Sequence, residues 1–139
     1  MEKLTRQQLK TIFKKVKRFR LPKELDDIDF SKLKFFGWTD QTDNVAYTVL
    51  DYKGRLEGIR WEITRLTHVP LSPAFCEVCR KHRSRSEIML VSAPTKKLPK
   101  GVSYQTRGNY ICYNLFRCAE EAKEITALEN LYQGILEKE

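Results

Sequence analysis

Apolar residues recur at helical spacing near the start of the chain. Thr5 and Gln8 have the spacing of a capping box, in which each side chain accepts a hydrogen bond from the other residue's backbone N–H. A helix is therefore predicted from about residue 5 to Phe19. Leu21-Pro22 ends it, because the residue before a proline is pushed out of helical conformation. The apolar face of this helix consists of Leu9, Ile12, Phe13 and Val16.

Alternating side chains predict a β-hairpin over residues 45–65. Gly54 lies in the turn, where it can take a positive φ. The apolar positions change phase after Leu56, which predicts a bulge near Gly58. Upstream, Gly37 interrupts a group of aromatic residues and predicts a bend or bulge there.

Two short strands and a helix are predicted in the last third of the chain. Ile88–Val91 reads as a buried strand, and Val102–Ile111 as the strand that returns beside it. Asn114 is placed to cap a final helix over roughly residues 115–136. The buried face of that helix is marked by Ala122, Ile125, Leu128, Tyr132 and Ile135.

All four cysteines fall in one stretch of the chain. Cys76 and Cys79 are separated by two residues, and Cys112 and Cys118 by five. Four thiolates suit one tetrahedral zinc ion with no open position, which is a structural site. His82 follows the first pair, but the cysteines already complete a tetrahedron. Buried reduced thiols are the alternative, and disulfides a weaker one because no signal peptide precedes them.

The order of these elements favours an α+β fold stapled by zinc. A knuckle, a hairpin and a helix, with ligands on the first and last pieces, are typical of a treble clef. We expect a basic N-terminal helix over residues 1–23 and an α+β zinc-finger domain over residues 24–139, packed as one domain. The metal would staple the knuckle to the start of the final helix, and its binding energy would contribute to folding.

Positive charge is concentrated at the N-terminus. Residues 1–23 hold nine lysines and arginines against one acidic residue, which equals the net charge of +8 of the whole chain. The remaining 17 basic and 17 acidic residues cancel. The chain is therefore a near-neutral body with a basic arm, and such an arm prefers an acidic protein face or RNA.

The cysteines belong to a longer set of motifs: Phe75-Cys76-x-x-Cys79, Arg107-Gly108-Asn109-Tyr110-Ile111-Cys112, Cys118, the basic segment Phe13–Pro22 and the step Phe36-Gly37-Trp38. Together these motifs resemble the zinc-finger domain of the FusB-type proteins, over about residues 4–136. In that family an N-terminal helical-bundle domain precedes this region. Both a short homologue and an isolated domain fit the present sequence.

The resemblance implies a partner and a role. FusB-type proteins bind translation elongation factor G and help free it from the ribosome, which confers fusidic acid resistance. The family's positions matching Phe75, Arg107 and Tyr110 contribute to the elongation-factor surface. An aromatic–basic–aromatic group also has the composition of an interface hot spot, although core packing is the alternative for both aromatic residues. The basic arm is expected to add long-range attraction through Lys14, Lys15 and Lys17.

Several functional classes are disfavoured by the sequence. It shows no nucleophile beside a base and no phosphate-cradling glycine loop, so we expect a binding module and not an enzyme. Neither a membrane span nor a signal peptide is apparent, and we expect a cytoplasmic monomer. RNA or ribosome binding is the main alternative function, and a different acidic protein partner is another.

Overall fold

A five-stranded antiparallel sheet forms the centre of the molecule. The computed structural model describes residues 1–65, 74–93 and 109–137. The described strands of this sheet are β1 Phe36–Asp40, β2 Val45–Tyr52, β3 Arg55–Arg65, β6 Ile88–Ser92 and β7 Asn109–Cys112, and β4 Ala74–Phe75 and β5 His82–Arg83 form a small second sheet. The strands of the large sheet run in the order β1-β2-β3-β6-β7, and β4 pairs with β5.

Helical segments cover both faces of the sheet. Residues Val45–Leu50 of β2 are buried throughout, which requires cover on both sides. Helix α1 (Arg6–Ile12) lies on one face, and helices α2 (Leu115–Glu121) and α3 (Thr126–Glu137) lie on the other. The fold is therefore α+β, as predicted.

Helix α1 is shorter than predicted. The capping box is present at Thr5 and Gln8, but the helix ends at Ile12 and not near Phe19. Beyond it, the rings of Phe13 and Phe19 stack at 5.1 Å, and each packs on Tyr47 of β2, at 4.9 and 5.2 Å. A continuous helix would rotate residues six positions apart by about 240°, so both rings could not face the sheet. Aromatic packing on the sheet therefore overrides helix propensity here.

The two glycines allow close packing and do not mark bulges. Gly37 and Gly58 both lie in continuous ladders, and the register shift in β3 falls between Ile63 and Arg65. A Cβ on Gly58 would lie 2.5 Å from Ile12 Cγ2 in α1. A Cβ on Gly37 would lie 2.9 Å from the carbonyl oxygen of Tyr47 and 3.2 Å from Leu115 Cβ in α2. The absent side chains make room for helices on opposite faces of the sheet.

The hairpin turn and the β6 strand agree with the sequence prediction. Lys53 and Gly54 both have positive φ values, of 51° and 82°, in the turn between β2 and β3. The predicted strand at 102–111 overlaps β7 only at its end, and residues 102–108, including Arg107, lie outside the described residues.

The C-terminal helix is broken into two pieces. Asn114 caps α2 by accepting a hydrogen bond from the N–H of Arg117 at 3.1 Å, as predicted. Ala122 is extended (φ −65°, ψ 128°), and this ends α2 before α3 begins at Thr126. The break turns the chain so that α2 packs along β1 while Tyr132 of α3 reaches Tyr52 near the hairpin turn, at 5.0 Å between rings. One straight helix over 115–136, as predicted, would not make both contacts.

Candidate metal centre

A tight knuckle presents the first two cysteines. Strands β4 and β5 pair Phe75 with His82, and the chain between them folds back on itself. The N–H of Cys76 donates to the carbonyl of Lys81 at 3.0 Å, and the N–H of Arg80 donates to the carbonyl of Cys76 at 2.9 Å. Arg80 takes a positive φ of 63° to close the turn. This geometry directs both sulfur atoms to one side of the knuckle.

The other two cysteines come from the last strand and the helix that follows it. Cys112 ends β7, where it pairs with Ile88, and Cys118 lies in the middle of α2. The Asn114 cap fixes where α2 begins, and this fixes the position of Cys118 relative to Cys112. The five residues between Cys112 and Cys118 therefore include the N-cap and the first turn of α2.

The four sulfur atoms lie close enough together to bind one metal ion. All four Sγ atoms lie within 4.8 Å of one another, and all four residues are buried. Cys76 Sγ lies 3.6 Å from Cys118 Sγ, and Cys79 Sγ lies 3.7 Å from Cys112 Sγ. A zinc ion with Zn–S bonds of about 2.3 Å has sulfur–sulfur separations of about 3.8 Å. The distances are much longer than a disulfide bond of about 2.05 Å, and all four cysteines are free.

Mutual contact perturbs the acidity of the four thiols in opposite directions. Hydrogen bonds from Cys112 and Cys118 lower the pKa of Cys76 to about 7. Hydrogen bonds from Cys112 and the other two thiols, together with that from Arg83, lower the pKa of Cys79 well below its usual range. The hydrogen bonds of Cys118 with Cys112 and the others raise its pKa above its usual range. A divalent cation removes this conflict because it stabilises all four thiolates together.

A buried arginine, Arg83, lies against the cluster. Arg83 Nη2 donates to Cys79 Sγ at 3.4 Å and forms an ion pair with Glu121 of α2 at 2.6 Å. Its side chain is only 5% exposed. Burial acts against the charged form, but the hydrogen bonds to Glu121 and Cys79 outweigh it and raise the pKa of Arg83. Four thiolates and one Zn²⁺ carry a charge of about −2, and the guanidinium offsets part of it.

The network extends from Arg83 to the outside of the finger. Glu121 Oε2 also accepts from Arg117 Nε at 2.9 Å, and Arg117 pairs in turn with Glu87. A basic residue four positions after Cys79 is visible in the sequence, but its burial is not, because it depends on where α2 packs.

The other predicted site residues are distributed over two regions. Phe75 and Tyr110 are half-buried on the finger, and Arg107 lies outside the described residues. The N–H of Glu77 donates to the carbonyl of Tyr110 at 2.9 Å, and the N–H of Tyr110 donates to the Glu77 carboxylate at 2.6 Å, so the knuckle is docked on β7. The arm lysines are exposed and follow α1 instead of lying on it: Lys14, Lys15 and Lys17.

Sequence comparison identifies the finger. The family of the FBP C-terminal treble-clef zinc-finger matches residues 8–134. The chain belongs to this family. Zinc-finger membership and the geometry of the cysteines together establish one structural zinc site in a treble-clef fold.

A solved structure has a similar fold. The structure of the fusidic acid resistance protein FusC aligns with a TM-score of 0.73 and 29% sequence identity, over 98% of this chain and 59% of that one. The chain thus spans about three-fifths of the length of FusC. A comparison with curated proteins finds no match. Among the described residues, no helix is both long and apolar enough to cross a membrane.

Proposed function

We propose that this chain binds elongation factor G through its zinc finger and promotes the release of that factor from the ribosome, as FusB-type proteins do in fusidic acid resistance. Family membership and the similarity to the resistance protein FusC support the proposal. The observation that carries it is the position of Phe75, a half-buried aromatic residue next to a zinc ligand.

The Phe75 ring is restrained by two contacts and by its place in the chain. Its backbone pairs with His82, whose ring packs edge-on at 5.4 Å. The Arg80 guanidinium lies over the ring, 5.2 Å from its centroid. The next residue, Cys76, belongs to the cysteine cluster and so ties the backbone to the metal site. A side chain restrained in this way loses little conformational entropy on binding, which is a property of interface anchors.

A closed zinc site supports a binding role and not a catalytic one. Four cysteines occupy every position of a tetrahedral ion, so the metal has no open position for water or substrate. We therefore assign the zinc a structural role in presenting Phe75 and Tyr110. In this proposal Lys14, Lys15 and Lys17 contribute long-range attraction, which raises the association rate and is screened by salt.

Binding is tested by gel filtration and titration of the zinc-loaded chain with purified elongation factor G. Phe75→Ala is expected to weaken binding about thirtyfold, equivalent to about 2 kcal/mol, with zinc content and melting temperature retained. Tyr52→Ala is the matched control, because Tyr52 is also half-buried but lies at the hairpin end of the sheet, away from Cys112. Equal affinities for both variants would place the partner face elsewhere. Loss of zinc from Phe75→Ala would assign Phe75 to the core.

Release is tested separately from binding. Elongation factor G is trapped on ribosomes with fusidic acid, the chain is added, and the ribosomes are pelleted. The proposal predicts that the factor moves to the supernatant and that Phe75→Ala reduces this transfer. A chain that binds the factor but leaves it in the pellet would restrict the function to binding. Co-purification from lysate that is abolished by RNase would instead support RNA binding.

A further inference from the structure

A basic pocket lies on the opposite side of the sheet from α2. It has a volume of about 550 Å³ and opens between the chain after α1 and strands β2 and β3. We call it the arm pocket. It is lined by Lys15, Val16, Lys17, Arg18, Asp43, Tyr47 and Arg60.

The pocket carries an uncompensated positive charge. Four of its side chains are cationic and one is anionic, which leaves a local charge of about +3. Lys15, Lys17 and Arg18 are exposed, and none of them forms an ion pair within the described part of the chain. Repulsion among unpaired cations in one pocket is relieved by an anion.

Arg60 lies at the floor of the pocket, beside Tyr47. Arg60 of β3 lies directly opposite Tyr47 of β2 in the ladder. Its ion pair with Glu62 is long, at 3.4 Å, and its buried Nε has no hydrogen-bond partner among the described residues. Burial raises the pKa of Tyr47, and both the charge of Arg60 and a side-chain hydrogen bond with it act in the opposite direction. The guanidinium is therefore not saturated by its protein contacts.

We propose that the arm pocket binds phosphate groups of a nucleic-acid backbone. A charge of about +3 is matched better by a phosphate chain than by a single carboxylate, and guanidinium groups bind phosphate through two parallel hydrogen bonds. The aromatic rings beside the pocket are committed to the core stack of Phe13, Trp38 and Tyr47, so base stacking is not expected. Recognition should consequently be independent of base sequence.

The inference does not rest on the finger's contact with elongation factor G, although Lys15 and Lys17 take part in both proposals, and the test therefore uses the chain without that factor. The test is fluorescence anisotropy of a labelled single-stranded oligouridine with the zinc-loaded chain. Arg60→Gln is expected to weaken binding about tenfold, since it removes charged hydrogen bonds. It should also make the negative slope of log affinity against log salt shallower by about 0.7, the value for one phosphate contact on a single strand.

The matched control is Arg55→Gln, because Arg55 is on the same strand and its replacement removes the same charge, but it is exposed and outside the pocket. That control should change affinity by less than about twofold. Lys17→Gln gives a second pocket variant at an exposed position where folding is not at risk. Circular dichroism melting and zinc content verify that each variant is folded.

Competition with other anions tests whether the pocket prefers phosphate. Pyrophosphate should displace the oligonucleotide more strongly than chloride at equal ionic strength, and this preference should be lost in Arg60→Gln. If Arg60→Gln and Arg55→Gln weaken oligonucleotide binding equally, the arm pocket is not the binding site and the attraction comes from the overall positive charge. Tight binding of polyglutamate with the same sensitivity to Arg60→Gln would overturn phosphate as the ligand. Equal displacement by pyrophosphate and chloride would overturn it as well.

Discussion

Replacement of Arg83 tests whether a positive charge beside the zinc site contributes to zinc affinity. Its guanidinium donates to Cys79 Sγ at 3.4 Å in a nearly dry environment. Coulomb's law gives about 5 kcal/mol for unit charges at that distance and an effective dielectric constant of about 20. The cost of burying the guanidinium offsets much of this, and hydrogen bonds to charged groups contribute about 1.5–3 kcal/mol net.

The perturbation is Arg83→Gln, and the measured quantity is zinc affinity. Removal of the charge should raise the zinc dissociation constant ten- to hundredfold, the range typical of lost partners of metal ligands, which equals about 1.4–2.7 kcal/mol. Competition with a chromophoric chelator at fixed pH measures the constant directly. Arg83→Lys should recover part of the affinity, because it keeps the charge but not the planar donor geometry.

Arg117→Gln is the matched control for this prediction. Arg117 also hydrogen-bonds Glu121, but its side chain is 51% exposed and none of its observed contacts is with a cysteine sulfur. Its replacement should change zinc affinity by less than about threefold, as expected for an exposed ion pair. If both variants lose zinc equally, the arginine acts by holding Glu121 and α2 in place. If neither loses it, charge compensation at the cluster is unimportant.

Three further predictions concern folding. Cys112→Ser should lose both the stoichiometric zinc, measured by elemental analysis, and the cooperative melting transition, measured by calorimetry. A metal-free variant that melts cooperatively at the parent temperature would contradict a structural role for zinc. Gly58→Ala should lower the free energy of unfolding by about 1–3 kcal/mol in chemical denaturation, because the added Cβ would overlap Ile12 and Phe13. Unchanged stability would show that α1 can shift to accommodate the methyl group. Gly134→Ala in α3 should instead stabilise by up to about 1 kcal/mol. Apart from the neighbouring residues and the helix's own backbone, no described atom lies within 4 Å of the added Cβ, and a lower denaturation midpoint would refute this.

Features that depend on short stretches of chain were predictable from the sequence. The capping box at Thr5, the Asn114 cap and the turn at Gly54 each involve atoms a few residues apart, so local chemistry determines them. The four-cysteine cluster was also predictable, although its halves are far apart in the chain. Four cysteine side chains form a closed tetrahedral zinc site, so the residue type and the count together indicate a shared metal ion.

Tertiary packing decided the features whose causes lie in distant elements. Helix α1 ends at Ile12 because the Phe13 ring packs on Tyr47 of β2. Gly58 leaves the space that Ile12 and Phe13 occupy against β3. Arg83 becomes part of the metal centre only because α2 brings Glu121 against it and excludes water. The arm pocket likewise requires Arg60 of β3 beside residues 15–18. A sequence pattern records what each residue can do, whereas burial and the partner across the fold determine which of those properties is used.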